Sequence, residues 1–273
     1  MRFGSSAVTR AERRVSVNTA VSIGLVGTTP LEVVRALAPR VERLGFTTLW
    51  INDIPGGDSL AGLRAAAEVT STLGLASGVI PLDRRPADSL DLANLPTERL
   101  TLGIGSGKVA VRPVEFVRTG LATLRELTDA PIVVGALGPR MRRLAAEEAD
   151  GVLLNWLTPG AGSLTAGELR RDAGGRADPN RVRATLYVRT ITDESARPAL
   201  DRESTRYESV PAYAANFERL GFGAREATIT DAARLAEYVD ADLDEIVLRA
   251  MTPSNSLAEL AAFVETAAAW RDR

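Results

Sequence analysis

The sequence predicts a (β/α)8 barrel, and three observations carry that expectation. Eight short runs rich in Val, Ile, Leu and Thr recur along the chain, most of them followed by a segment with helical apolar spacing. Strands alternating with helices form parallel sheets. The length, 273 residues, suits one closed barrel of about 250 residues. No low-complexity linker divides the chain, so a single domain over residues 21–273 is expected. It follows a loosely ordered N-terminal extension over residues 1–20, which carries positive charge but no apolar h-region and so is not a secretory signal.

The elements follow in order. Val21–Val26 is strand one. Pro30–Leu44 is helix one, with Leu31, Val34, Leu37, Val41 and Leu44 at helical spacing and Gly45 as its stop. Thr47–Ile51 is strand two. Leu60–Leu73 is helix two, ended by Gly74. Leu75–Ile80 is strand three, cut by Pro81, and Arg84–Leu95 is a short helix candidate. Leu100–Gly105 is strand four and Pro113–Leu127 the next helix. Ile132–Val134 is strand five; Gly135–Pro139 breaks the chain, with Pro139 where a first helical residue is tolerated. Met141, Leu144, Ala145 and Ala149 then mark helix five, and Gly151 opens strand six, which runs to Trp156. A helix falls within Ser163–Ala173. Val182–Ile191 is strand seven, Ala196–Leu220 a long helix closed by Gly221, and Ala232–Tyr238 a further one. Glu245–Arg249 is strand eight and Leu257–Trp270 the last helix.

Absences narrow the chemistry. There is no histidine and no cysteine, which removes Ser-His-Asp and Cys-His nucleophiles and the usual zinc and haem ligands; no metal site is expected. The lack of cysteine fits a cytoplasmic protein. A net charge of -2 offers no basic field for nucleic acid, and no apolar run approaches the roughly 20 residues that cross a bilayer. Lys108 is the one lysine among 33 basic residues, as GC-rich coding produces. A chain this poor in reactive side chains points to a borrowed cofactor.

Barrels of this kind bind ligands at the C-terminal ends of their strands. Strand two ends in Asn52-Asp53, two hydrogen-bonding groups, and Asp53 is also a candidate proton acceptor; an Asx turn leading to Pro55 is the structural reading. Strand four ends in Gly103-Ile-Gly105-Ser106-Gly107-Lys108. This fails the P-loop pattern, because Leu102 stands where its first glycine belongs and Val109 follows the lysine. It fails the dinucleotide pattern because Lys108 replaces the last glycine. The glycines suit close approach to a flat ligand, or a tight turn that binds nothing. Lys108 as a Schiff-base lysine is a third, weaker reading. Strand five ends in Gly135-Ala136-Leu-Gly138-Pro139-Arg140, where unpaired N–H groups at a helix start favour an anion. Strand six ends in Asn155-Trp156.

The segments Gly103–Gly107, Gly135–Met141 and Ala149–Pro159 (GIGSG, GALGPRM, ADGVLLNWLTP), with Leu44–Asp53 (LGFTTLWIND), resemble the luciferase-like flavin and deazaflavin oxidoreductases. The nearest resemblance is to the coenzyme F420-dependent, methylenetetrahydromethanopterin-reductase-like members, and it runs from Val21 to Trp270. It implies a luciferase-like (β/α)8 barrel. The implied activity is hydride transfer or monooxygenation with coenzyme F420, or alternatively FMN, on a small organic substrate. The resemblance places Asp53, Gly78, Val79, Gly105, Ser106 and Gly107 near the cofactor ring, with Asn52 beside them. Gly135, Ala136, Gly138, Pro139, Arg140 and Asn155 would lie near its phosphate or side chain. It also implies a non-prolyl cis peptide within Gly78-Val79-Ile80 and a homodimer paired through barrel helices. Two departures stand out. Ile54 occupies the place where many deazaflavin dehydrogenases carry histidine, and the segments after strands three and four are short. The alternative expectation is therefore a degenerate, non-catalytic barrel that binds a flavin-type or other phosphorylated ligand.

Overall fold

A computed structural model describes residues 19–179 and 182–273. Eight parallel strands close on themselves: β1 (Ala20–Leu25), β2 (Thr48–Ile51), β3 (Gly74–Ser77), β5 (Leu100–Gly105), β6 (Ile132–Gly135), β7 (Gly151–Asn155), β8 (Arg183–Thr190) and β10 (Glu245–Ala250). Each pairs with the next, and β10 pairs with both β8 and β1 to complete the barrel. Two-residue strands β4 (Ile80–Pro81) and β9 (Thr228–Ile229) pair in parallel with the ends of β5 and β8 at the rim. The expected (β/α)8 barrel is the observed one. The expected extension over residues 1–20 lies outside the described residues except for Thr19 and Ala20. Thr19 Oγ1 donates to the Val239 and Leu243 carbonyls, and Ala20 already belongs to β1.

The outer helices are α1 (Leu31–Arg43), α2 (Ser59–Ala67), α3 (Pro113–Leu127), α4 (Pro139–Glu148), α5 (Pro159–Asp172), α6 (Arg197–Glu208), α7 (Pro211–Leu220), α8 (Ala232–Val239) and α9 (Leu257–Arg271). Their apolar stripes cover the strands: Val34, Leu37 and Val41 of α1 and Phe263, Val264 and Ala267 of α9 are fully buried in one core with Ile23, Leu49 and Leu248. Inside the barrel a second cluster gathers Trp50, Ala76, Val133, Leu153, Tyr187 and Val247, the alternate residues of their strands. Below it, Glu245 Oε1 accepts from Ser22 Oγ at 2.5 Å and from Trp50 Nε1 at 2.9 Å. Tyr187 fills the centre because β1 has glycine opposite: a Cβ on Gly24 would lie 2.8 Å from the phenol oxygen.

Four connections differ from the expected pattern. Helix α2 ends at Ala67, short of the expected Leu73, and Gly74 opens β3 instead of closing the helix. No α-helix forms over Arg84–Leu95; single 3-10 turns occur at Ala87–Ser89 and Thr97–Arg99. Pro86 and Pro96 remove N–H donors there, and Asn94 sits at φ 60°. The long helix expected over Ala196–Leu220 is two helices. Pro211 pushes Val210 out of the helical region, to φ -84° and ψ 120°, and opens α7 as its first residue. Finally, α5 starts earlier than its apolar spacing suggests, because Thr158 caps Ala161 N and Pro159 begins the helix. Among the described residues no helix is long and apolar enough to cross a membrane.

Candidate active site

All the residues singled out from the sequence lie at one end of the barrel, where β2, β3, β5, β6 and β7 finish. Asn52, Gly78, Val79, Gly135 and Asn155 are half-buried there, while most of the strand residues before them are buried. The Gly78–Val79 peptide is cis. Val79 packs against the inner barrel cluster, and its side chain lies across the ends of β5 and β6. A Cβ on Gly105 would stand 3.0 Å from Val79 Cγ2, and one on Gly135 would stand 2.9 Å from Val79 Cγ1. The two glycines keep side chains out of the mouth, leaving a low apolar floor.

Gly107 has a different task. It sits at φ 61°, and a Cβ there would fall 1.7 Å from Asp83 Oδ1. The Asp83 carboxylate fills that space and accepts from Lys108 N at 2.9 Å. Ser106 is partly buried beside it, and Lys108 is exposed. This turn is held by the Asp83 side chain from the segment after β4.

Asn52 and Asp53 part company. Asn52 faces the mouth and accepts from Gly27 N at 2.8 Å. Asp53 faces the other way, since neighbouring residues of an extended chain point to opposite sides. Its side chain is 1% exposed. Oδ2 accepts from Ser59 N, Ser59 Oγ and Arg85 Nη1 at 3.2, 2.9 and 2.6 Å, and Oδ1 accepts from Arg84 Nη2 at 3.1 Å. The carboxylate ties the start of α2 to the segment after β4.

On the far side of the mouth α6 and α7 lean over β7 and β8. Arg189, at the end of β8, is almost wholly buried. Its Nε donates to Glu203 of α6 at 2.8 Å, its Nη1 donates to Asn155, and its guanidinium lies 4.2 Å from the Trp156 ring and 4.8 Å from the Tyr207 ring. Trp156 packs with Phe217, Ala224 and Ala227, joined by Tyr207 and Tyr213. Burial opposes the Glu203 charge, but the field of Arg189 and Arg249 and the hydrogen bond from Arg189 hold its carboxyl below the usual glutamate range. Burial pushes the Tyr187 phenol up to about 12, against the pull of Arg249 and Arg189. Asn155, expected near a cofactor chain, is thus also the partner of a buried arginine.

Between α6 and the ends of β1, β2 and β10 lies a cavity of about 390 Å3, with Asn52, Ile54, Glu203, Arg249 and Met251 among its walls. A second, more open groove of about 570 Å3 runs from the start of α5 to α8. Arg197, Arg225 and Arg234 line it, faced by Glu226, Asp231 and Glu237. At the β6 end, the Gly138 turn opens α4. Nothing lies within 4 Å of a Cβ placed on Gly138. Ala136 is buried under the turn, while Pro139 and Arg140 are exposed. Proline at the first helical position leaves the Arg140 and Met141 N–H groups at a free helix start. Among the described residues no group of three or more acidic side chains is gathered to hold a metal.

Arg189, Glu203 and Arg249 were not singled out from the sequence as site residues. A signal for two of them exists. Arg189 and Arg249 each place a charge at the C-terminal end of a strand whose middle is largely apolar. Glu203 carries no such mark.

The sequence matches the luciferase-like monooxygenase family over residues 1–130 and 114–269. A 5,10-methylenetetrahydromethanopterin reductase of Methanolobus tindarius is 26% identical over 218 residues, which span 65% of this chain and 67% of that protein. Among solved structures, the coenzyme F420-dependent tetrahydromethanopterin reductase of Methanopyrus kandleri superposes with a TM-score of 0.69 at 17% identity, covering 92% of this chain and 98% of that one. An F420-dependent secondary alcohol dehydrogenase, solved with an F420-acetone adduct, gives 0.68 at 14% identity, covering 92% and 99%.

Proposed function

Because the chain belongs to the luciferase-like monooxygenase family, we propose that it is an oxidoreductase that uses coenzyme F420, with FMN as the alternative, to move a hydride to or from a small organic substrate. The observation that carries this reading is the floor of the mouth, where Val79 lies across Gly105 and Gly135 and any larger residue at either position would collide with it. Such a cradle fits a flat ring. Bound there, the cofactor would supply the hydride-accepting atom, a ring carbon in a deazaflavin and a ring nitrogen in a flavin, so the chain needs no histidine or cysteine of its own. Two structural neighbours named for coenzyme F420 support it as the cofactor, and a neighbour solved with FMN supports the alternative.

The chain's own residues orient and shield. Val79 offers an apolar face for stacking. Asn52 stands at the edge of the mouth with its amide fixed by Gly27 N. The α6–α7 pair, held down by Arg189–Glu203 and by Trp156, excludes water from the β7–β8 side. The free helix start at Gly138–Arg140 suits the phosphate of the cofactor tail, with Arg140 as the adjoining charge. Asp53 positions the start of α2 through Ser59 and the two arginines. A homodimer belongs to the same proposal.

One observation favours a second reading, a barrel that binds a flavin-type ligand without turnover. The Asp53 carboxylate, the acid expected at the strand-two mouth, is turned away and fully engaged. Fluorescence titration with each cofactor tests binding, and absence of saturation with both overturns the proposal. Measurable hydride exchange across a substrate panel excludes the second reading; tight binding with no redox change across that panel excludes the first.

A further inference from the structure

The charges at the mouth do not balance. Arg189 and Arg249 are both buried, with 2% and 5% of their surface exposed. Glu203 is taken by Arg189 at 2.8 Å. Among the described residues no carboxylate lies within ion-pairing distance of Arg249. Its Nη1 donates to the Ala250 carbonyl and reaches Met251 Sδ at 3.5 Å, and its Nε is buried without a partner. A guanidinium withdrawn from water with only the field of a carboxylate already paired to another arginine is costly, since pairing offsets desolvation only when the geometry is good. Two buried guanidiniums sharing one carboxylate leave this place one anion short.

Arg249 is also a wall of the 390 Å3 cavity. The other charged walls are Arg202, Arg206 and the already paired Glu203, so the cavity is cationic. Ile54 and Met251 give it an apolar side. Ligand pockets run from about 300 to 1,000 Å3, so this one takes a small molecule. A planar guanidinium fork matches a planar two-oxygen anion best.

We propose that the cavity beside Arg249 binds the carboxylate of a small organic acid, with its apolar part against Ile54 and Met251, and that the substrate class is accordingly a carboxylate. The word substrate rests on the oxidoreductase reading above; the binding does not.

Calorimetric titration of the full chain with acetate, butyrate and benzoate, each against its primary amide, tests this. At least one carboxylate should bind about tenfold or more tightly than its amide, as a desolvated charge pair requires. Arg249→Met should reduce that preference to about twofold or less while leaving coenzyme F420 and FMN titrations unchanged. Arg249→Lys, which keeps charge but not the fork, should retain part of it. The wild-type comparison stands even if a variant does not fold. The proposal is overturned if no carboxylate is preferred over its amide. It is overturned equally if Arg249→Met folds and keeps the preference, or if that variant loses cofactor binding instead, which would assign the guanidinium to the ring. A carboxylate preference in a chain that binds neither cofactor would uphold the site and sink the oxidoreductase reading.

Discussion

Replacing Glu203 by glutamine removes one charge and almost no volume, and its effect follows from the surroundings. The Arg189–Glu203 pair is 2.8 Å long, with side chains 3% and 16% exposed. Breaking a buried pair by neutralising one member costs about 3–5 kcal/mol. Glutamine keeps a carbonyl that accepts from Arg189, which retains about 1 kcal/mol. The expected loss at neutral pH is therefore about 3 kcal/mol, or a fall in Tm of roughly 6–12 °C for a domain of this size. The pH dependence supplies a second signature. The folded Glu203 carboxyl lies below its ordinary value, so its stabilisation is fully present above the unfolded glutamate pKa of about 4.3 and is lost as pH falls through the lower folded value. Urea unfolding of wild type and Glu203→Gln from neutral pH downward should show two curves that converge in acid. A difference under about 0.5 kcal/mol at neutral pH, or one that persists unchanged in acid, would refute the reasoning, because the pair would then contribute no more than an exposed one.

Gly107→Ala should cost about 2–3 kcal/mol, since it combines a positive φ with a collision against Asp83, whereas Gly56→Ala, at φ 82° with nothing within 4 Å of its Cβ, should cost only about 1 kcal/mol; equal losses in chemical denaturation would show that Asp83 can step aside. Gly138→Val meets no neighbour in the fold, so it should leave stability within about 0.5 kcal/mol of the parent and yet weaken cofactor binding; Arg140→Ala should weaken it by about 1–3 kcal/mol. Unchanged fluorescence titrations for both variants would move the phosphate elsewhere on the rim. Light scattering at micromolar concentration should report a dimer, and a lone 29.0 kDa species would dismiss it.

The barrel was legible because its strands are buried on both faces and so read as unbroken apolar runs with glycine stops, such as Leu100–Gly105 and Gly151–Asn155. The break at Val210-Pro211 was legible in principle, yet continuous helical spacing on either side concealed it. The ends of the strands located the mouth, but spacing alone could not say which residue faces in. Asn52 and Asp53 are adjacent, so only one can enter the barrel, and the contacts that turn Asp53 outward come from Arg84 and Arg85, over thirty positions away. Arg189, Glu203 and Arg249 meet only because α6 folds back over β8 and β10. That docking is a tertiary fact, and no local pattern around Glu203 announces it.

A glycine-floored mouth built for a flavin-type ring should bind one in solution. The decisive measurement is a fluorescence titration of the purified chain with coenzyme F420, run beside an identical titration with FMN. Saturable binding of coenzyme F420, tighter than that of FMN, is the expected result; no saturation with either cofactor would contradict the account.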